Sequence, residues 1–121
     1  MLLSEWREWR RAITAYPGQG TFSGIIYCAL GLGEAGECIG EIKKMWRDDG
    51  LSVSPERREK ILYEMGDVLW YLDALANELG SSLEEIMGLN VSKINARRAQ
   101  KMNVGQNKSA VPPAVPAALV S

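Results

Sequence analysis

Along the first hundred positions of this chain, apolar residues recur every three or four positions, with polar residues between them. The first apolar stripe consists of Trp6, Trp9, Ile13 and Tyr16. Its three- and four-residue spacing predicts a helix over residues 4–16 that packs its tryptophans into a core and stops at Pro17-Gly18. The arginines of this segment fall between the stripe positions and are expected at the surface: Arg7, Arg10 and Arg11.

Three further helices follow from the same pattern. A glycine-rich apolar run predicts the second, from Phe22 or Ser23 to Arg47 or Asp48. Ser54-Pro55-Glu56 has the residues of a helix start, so the third helix runs from Pro55 to about Leu79, with Gly80 as its stop. A capping box at residues 82–85 opens the fourth, which continues to about Met102. No segment has the two-residue period of a strand, and we expect an all-α, four-helix bundle-like domain.

The composition indicates one domain with an ordinary soluble character. The chain has 121 residues, 46% hydrophobic and 24% charged, with a net charge of −1. Residues 1–103 form the expected domain, and the Pro/Ala/Val-rich residues 104–121 are expected to be a mobile tail unless they dock on a neighbouring subunit. The charge gives no support for a nucleic acid polymer as partner. We find no leader-like run and no apolar stretch of membrane-spanning length, and expect a cytoplasmic protein without membrane contact.

The absence of histidine excludes several kinds of chemistry. Ser-His-Asp and Cys-His nucleophile systems are not available, and neither is a di-iron site built from Glu-x-x-His motifs. Cys28 and Cys38 are too few for an ordinary zinc site or a disulfide framework, and both are expected to be buried. Metal chemistry would therefore use carboxylates, which favour Mg²⁺ or, as a substitute, Mn²⁺.

Two pairs of acidic residues interrupt the predicted helices. Glu34 and Glu37 are three residues apart in the second helix, and Glu64 and Asp67 are three apart in the third, so each pair shares one helix face. Two carboxylates brought within 4 Å repel by about 4 kcal/mol at an effective dielectric constant near 20, unless a cation lies between them. A divalent cation is one solution. The other is a solvated acidic face that pairs with nearby basic side chains: Lys43, Lys44 or Arg47.

The acidic pairs belong to four segments that occur in order. These are Gly31-Leu32-Gly33-Glu34-Ala35-Gly36-Glu37 with Ile42-Lys43-Lys44, then Glu64-x-x-Asp67-Val68-Leu69-Trp70-Tyr71-Leu72, then Ser82-Leu83-Glu84-Glu85-Ile86, and Asn90-x-x-Lys93-x-x-x-Arg97. Over roughly residues 10–98 the chain resembles the MazG-like all-α nucleoside triphosphate pyrophosphohydrolases. The resemblance implies hydrolysis of a (d)NTP to the monophosphate and pyrophosphate, in the role of clearing aberrant or surplus nucleotides.

The resemblance also implies roles for individual residues. By position, Glu34, Glu37, Glu64 and Asp67 are the Mg²⁺ ligands. A carboxylate that is not fully engaged with the metal would take the proton of the attacking water, and Glu34 and Glu37 are the candidates for this base. The implied phosphate-binding residues are Asn90, Lys93 and Arg97, and the weaker candidates are Lys44 and Arg47. The family assembles as dimers or tetramers, and the apolar faces of this chain exceed what one small bundle can cover.

Base recognition and turnover stay open at this stage. The aromatic residues that could stack on a base are Trp6, Trp9, Tyr16 and Tyr71. Besides the enzyme, we consider a nucleotide-binding regulator with little or no turnover and a helical oligomerisation module with surface acids. Related chains often carry a glycine-rich, charged segment shortly after the position of Arg97, and its absence here puts substrate closure in question.

Overall fold

A computed structural model describes residues 1–104, which form an all-α structure with no strand among them. Its helices are α1 (Leu3–Ile13), α2 (Phe22–Gly31), α3 (Glu34–Asp48), α4 (Pro55–Glu78) and α5 (Leu83–Val104). The chain divides into two compact units, residues 1–80 with α1 to α4 and a second unit that begins at Ser81 and contains α5. The all-α prediction is confirmed, and each unit is described by itself below.

The predicted second helix is interrupted in the middle. Its ends lie where expected, but Leu32 and Gly33 form a tight turn between α2 and α3. At this turn the backbone hydrogen bonds close over three residues instead of four, as in the Gly33 N–H to Leu30 carbonyl bond at 3.0 Å. The prediction of one continuous helix was therefore wrong. The interruption makes Glu34 the first residue of α3 and places Glu34 and Glu37 in its first turn, where the helix dipole favours negative charge.

The expectation that no apolar stretch reaches membrane-spanning length was wrong, because the segment from Phe22 to Asp48 does reach it. By length and composition alone, it is long and apolar enough to cross a membrane. A core helix of a soluble protein or a leader segment near the N-terminus passes the same test, so this single segment is weak support for a membrane location.

The packing of α1 differs from the prediction. Arg10, expected at the surface, is only 1% exposed, whereas half of the Trp9 side chain is exposed. Arg10 is buried because α4 carries the equally buried Asp73, whose carboxylate accepts from Arg10 Nε at 2.5 Å and from Arg7 Nε at 3.1 Å. The Arg10 guanidinium also lies 5.6 Å from the ring centre of Trp70, a cation–π distance. An ion-pair network thus joins α1 to α4.

The apolar core of the first unit is small and lies between α2, α4 and the segment that follows α1. It contains Tyr16, Cys28 and Ala74, with Trp70 and Leu75 packed against it. Cys28 is buried as expected, while Cys38 is half-buried.

One glycine allows a close approach between α2 and α4. A Cβ atom at Gly31 would lie 2.2 Å from Cδ1 of Tyr71, so the tyrosine ring rests directly on the α2 backbone. Gly36 and Gly40 on α3 have no neighbouring atom within 4 Å of an added Cβ in the part of the chain that the structure describes, so neither glycine is required by close packing.

The turn between α3 and α4 is held by Arg57. Its guanidinium donates to Glu41 on α3 at 2.7 Å and to Asp49 in the turn at 2.8 Å. Gly50 and Leu51 both adopt left-handed backbone conformations here, with φ of 65° and 63°. A non-glycine residue rarely adopts this conformation, so Leu51 is the strained position of the turn. Arg57 thus fixes α3 against the first turns of α4.

The predicted ends of the last two helices are largely confirmed. Ser54 accepts from the Arg57 backbone N–H at 3.1 Å as the α4 N-cap, and Gly80 has a φ of 69° after the helix ends. In the second unit, Ser82 accepts from the Glu85 N–H at 3.2 Å, which is the serine half of the predicted capping box. The Glu85 carboxylate instead accepts from the Ser81 hydroxyl at 2.9 Å. Of the predicted tail, Val104 belongs to α5, and residues 105–121 lie outside the described residues.

Candidate metal centre

Three carboxylates from two helices meet at one place in the first unit. Glu34 comes from the first turn of α3, and Glu64 and Asp67 come from adjacent turns of α4. One carboxylate oxygen of each lies within 4.8 Å of the others. Glu34 and Glu64 are half-buried and Asp67 is exposed, so the group is shielded on the protein side and open to solvent on the other. We call these three residues the acidic cluster.

The electrostatics of the acidic cluster are unfavourable in the absence of a cation. Burial raises the pKa of the Glu64 carboxyl above its ordinary value, and the negative charges of Asp67, Glu37, Glu34 and Glu41 raise it further. Like charges this close disfavour simultaneous ionisation. A divalent cation among them would remove the conflict, and oxygen atoms of carboxylates are the ligands that Mg²⁺ prefers.

Glu37, the fourth predicted ligand, stands slightly apart. It is exposed in the first turn of α3 and is not one of the three residues whose oxygens lie within 4.8 Å of one another. It is nevertheless close enough for its charge to raise the pKa of Glu64. The structure therefore places three of the four predicted ligands together and the fourth at their edge.

Glu41 continues the acidic face of α3 but is in a different situation. Hydrogen bonds from Arg57 and then Lys44 hold the pKa of its carboxyl below the ordinary value. Lys44 Nζ lies 3.2 Å from Glu41, so this candidate phosphate residue is paired with an acid on its own helix. The solvated-face alternative thus describes Glu41 well. It does not describe Glu64, whose pKa is raised by burial and by other acids alone.

An open pocket of about 560 Å³ adjoins the acidic cluster and shares Glu64 with it. Its lining residues come from α3 and α4: Glu41, Glu56, Glu59, Lys60, Tyr63 and Glu64. Pockets of this size accommodate small molecules. The predominance of carboxylates means that an anionic ligand would enter this pocket only together with cations.

The remaining predicted residues are distributed over several elements. Asn90, Lys93 and Arg97 are exposed on α5, and their three- and four-residue spacing puts them on one face of that helix. Trp6 is half-buried on α1. Tyr16 is a poor base-stacking candidate because it is 9% exposed and its hydroxyl donates to Glu78.

Tyr71 is the aromatic candidate that lies near the acidic cluster. It follows Asp67 by one turn of α4, and burial raises the pKa of its phenol, as do Tyr27, Glu34 and Asp67 in turn. Its ring lies 5.2 Å from that of Trp70 in an edge-to-face arrangement. Sequence reasoning missed Tyr27 and Arg57, because neither lies in an acidic motif and only the packing of α3 and α2 on α4 brings them to this region.

The site is thus a group of helix-borne carboxylates whose oxygens converge as hard-cation ligands in an all-α chain. The sequence model of the MazG nucleotide pyrophosphohydrolase domain matches residues 24–102. The chain is also 38% identical over 87 residues to the Gene 37 protein of Mycobacterium phage L5, an alignment that covers 69% of this chain and 76% of that protein. Comparison with solved structures gives no match. The chain belongs to the MazG nucleotide pyrophosphohydrolase family.

Proposed function

We propose that this protein hydrolyses nucleoside triphosphates to the monophosphate and pyrophosphate in a Mg²⁺-dependent reaction. The observation that carries the proposal is the acidic cluster of Glu34, Glu64 and Asp67, with oxygens within 4.8 Å of one another. Mg²⁺, when bound there, would neutralise these carboxylates, polarise phosphate oxygens and make water more acidic. Mn²⁺, which shares the preference for oxygen ligands, is the expected substitute.

The positions of the acidic residues assign a different role in the reaction to the ligands and to the general base. Glu34, Glu64 and Asp67 would hold the cation, since their carboxylate oxygens converge. Glu37 accepts the proton of the attacking water, because it lies at the edge of the cluster and is not one of the convergent ligands. This assignment chooses Glu37 over Glu34, which the sequence left equivalent.

The substrate reaches this site as a polyanion. The carboxylate-lined pocket beside Glu64 would repel a bare triphosphate, so the proposal requires the nucleotide to bind with its cations. We assign phosphate binding to Lys93 and Arg97, with Asn90, on the resemblance to the family and on their exposed common face of α5. Removal of aberrant or surplus nucleotides is the role that such a reaction would serve, in the cytoplasm where the nucleotide pool is used.

The test is product analysis with a panel of ribo- and deoxynucleoside triphosphates in Mg²⁺. Glu37→Gln and Asp67→Asn are the informative variants, because one removes the assigned base and the other a ligand without changing side-chain size. Asp48→Asn is the matched control, since it is an acid on α3 that pairs with Arg47 at 2.7 Å outside the cluster. Monophosphate and pyrophosphate from the wild type and Asp48→Asn, lost in the other two variants, are expected.

Other outcomes would contradict the proposal in distinguishable ways. Orthophosphate as the product would mean attack at the terminal phosphorus. Binding of triphosphate and Mg²⁺ without turnover would instead favour a nucleotide-binding regulator. Equilibrium binding of Mg²⁺ separates the two assigned roles, because Asp67→Asn should weaken Mg²⁺ binding much more than Glu37→Gln does.

We also propose that the protein works as a homodimer or homotetramer. Several large apolar side chains on α2 and α3 are more than two-thirds exposed, among them Phe22, Leu30 and Trp46. Exposed apolar surface of this kind is typical of protein–protein interfaces. Light scattering after size-exclusion chromatography should give two or four times the mass of the chain, and a monomer at micromolar concentration would contradict this proposal.

A further inference from the structure

Tyr27 on α2 lies near Tyr71, the aromatic residue close to the acidic cluster, although Tyr27 belongs to no acidic motif. It is one helical turn before Gly31, on whose backbone the ring of Tyr71 rests. Tyr71 in turn is one helical turn after Asp67 on α4, and Gly31 is three residues before Glu34. Burial raises the pKa of the Tyr71 phenol, and Tyr27 is close enough to raise it further, as are Glu34 and Asp67. Two tyrosines from two helices therefore lie at one side of the site.

The ring of Tyr27 is held rigidly on one side and accessible on the other. Tyr16 stacks on one face, with ring centres 5.2 Å apart and an angle of 6° between the planes. Tyr16 is itself fixed, since it is buried and donates to Glu78. Tyr27 still exposes 40% of its surface. Because Tyr16 covers one face, only the opposite face of the Tyr27 ring is left for a further stacking partner.

A flat, half-exposed ring at this place suits one component of a nucleotide. The phosphates require the cation at Glu34, Glu64 and Asp67, whereas a nucleobase requires a flat apolar surface nearby. Stacking of a base on an aromatic side chain tolerates any base because each has a π-face. Stacking on Tyr16 orients the Tyr27 ring in advance, which lowers the entropic cost of binding.

We propose that Tyr27 is the base-stacking residue of this site, with Tyr16 as its positioning partner. This inference rests on the proposed function for the identity of the ligand. It assigns Tyr27 to base binding and leaves Glu37 and the acidic cluster to the chemistry at phosphorus. Loss of the Tyr27 ring should therefore weaken the binding of the base and spare contacts to the phosphates.

The test compares ligands with and without a base. The probes are a non-hydrolysable α,β-methylene nucleoside triphosphate and ribose 5-triphosphate, each titrated by calorimetry in Mg²⁺. Tyr27→Ala should weaken binding of the nucleotide analogue by a factor of about 5 to 100, as expected for loss of one stacked base. Binding of ribose 5-triphosphate should stay within twofold of the wild type.

Three further variants separate stacking from folding. Tyr27→Phe keeps the ring and should retain most of the affinity, whereas Tyr27→Leu keeps apolar volume without a flat face and should lose it. Leu79→Ala, which removes an exposed apolar side chain directly after α4, should leave both affinities unchanged. Thermal unfolding checks that each variant is folded, and Tyr27→Leu replaces Tyr27→Ala if the latter does not fold.

Equal weakening of both probes by Tyr27→Ala, or equal affinity of the wild type for both probes, would overturn the inference. A loss in Tyr27→Phe as large as that in Tyr27→Ala would also overturn it, since the hydroxyl and not the ring would then matter. If no triphosphate is hydrolysed but the base-dependent loss is observed, the proposed reaction fails while the base site stands.

Discussion

Replacement of Gly31 by alanine should destabilise this protein, although alanine is the better helix former. The last residue of α2 supports the ring of Tyr71, and the added Cβ would lie 2.2 Å from Cδ1, 2.3 Å from Cε1 and 2.7 Å from Cγ. All three atoms belong to a rigid aromatic ring that Trp70 contacts edge-to-face. The ring must therefore move as a whole, because it has no flexible end that could turn aside.

The expected magnitude follows from two opposing contributions. To reach ordinary van der Waals distance the ring must retreat by at least about 1.2 Å, and overpacking of this kind typically costs about 1 to 3 kcal/mol. The gain in helix propensity from glycine to alanine is at most about 1 kcal/mol, and less at a helix end. We expect a net loss of about 1 to 2 kcal/mol in the free energy of unfolding.

Urea denaturation at matched protein concentration measures this loss. Gly40→Ala is the control, because it lies inside α3 with no atom within 4 Å of the added Cβ and should stabilise the protein by up to about 1 kcal/mol. A double-mutant cycle with Tyr71→Ala identifies the cause, since Gly31→Ala should no longer destabilise a protein without the ring. Equal stability of Gly31→Ala and Gly40→Ala, or additive effects in the cycle, would refute the reasoning.

Three other predictions concern charged residues. Asp73→Ala leaves the Arg10 guanidinium buried without its acid and should lower the free energy of unfolding, measured by urea denaturation, by about 3 to 5 kcal/mol. The control Arg47→Ala removes one partner of an exposed ion pair and should change the free energy of unfolding by no more than about 0.5 kcal/mol. The pKa of the Glu64 carboxyl is raised in the folded, metal-free protein. Its contribution to the free energy of unfolding is therefore fully present below pH about 4.3, the ordinary carboxyl pKa. This contribution is lost as the pH rises through the raised pKa of the folded state. Thermal unfolding in EDTA should show this loss, and Glu64→Gln should abolish it. Lys93→Ala should raise the KM for triphosphate about tenfold, with a weaker dependence on salt, in steady-state kinetics.

Each of these predictions has an outcome that contradicts it. A nearly neutral Asp73→Ala would mean that α1 is held to α4 by its apolar contacts and not by the ion pairs. A pH dependence that Glu64→Gln leaves unchanged would assign the titration to another group. An unchanged KM in Lys93→Ala would remove this residue from phosphate binding.

The acidic motifs could be recognised from the sequence because helical spacing is local. Glu34 with Glu37 and Glu64 with Asp67 share helix faces whatever the rest of the chain does, and the fold brings three of the four together. The different position of Glu37 was not predictable. It depends on how α3 packs on α4, because the packing decides which of the two α3 acids faces Glu64 and Asp67.

The errors on α1 have a common physical cause. Spacing alone placed Arg10 on the surface, since an arginine is costly to bury without an acid. The acid that compensates it, Asp73, is 63 residues away in sequence. The local sequence around either residue gives no indication that the two residues pair. Tyr27 was missed for the same reason, because its stacking on Tyr16 and its proximity to Tyr71 involve three separate segments.

The sequence by itself determined the all-α class, the caps of α4 and most helix ends, because these depend on interactions within a few residues. It also determined that any metal site must be built from carboxylates, since the chain has no histidine. Only the tertiary structure decided which acids converge, because Arg57 neutralises Glu41 while Glu64 lies among other acids. It likewise decided that α1 is joined to α4 through buried charge. These outcomes depend on distances between residues far apart in the chain, which helical periodicity does not contain.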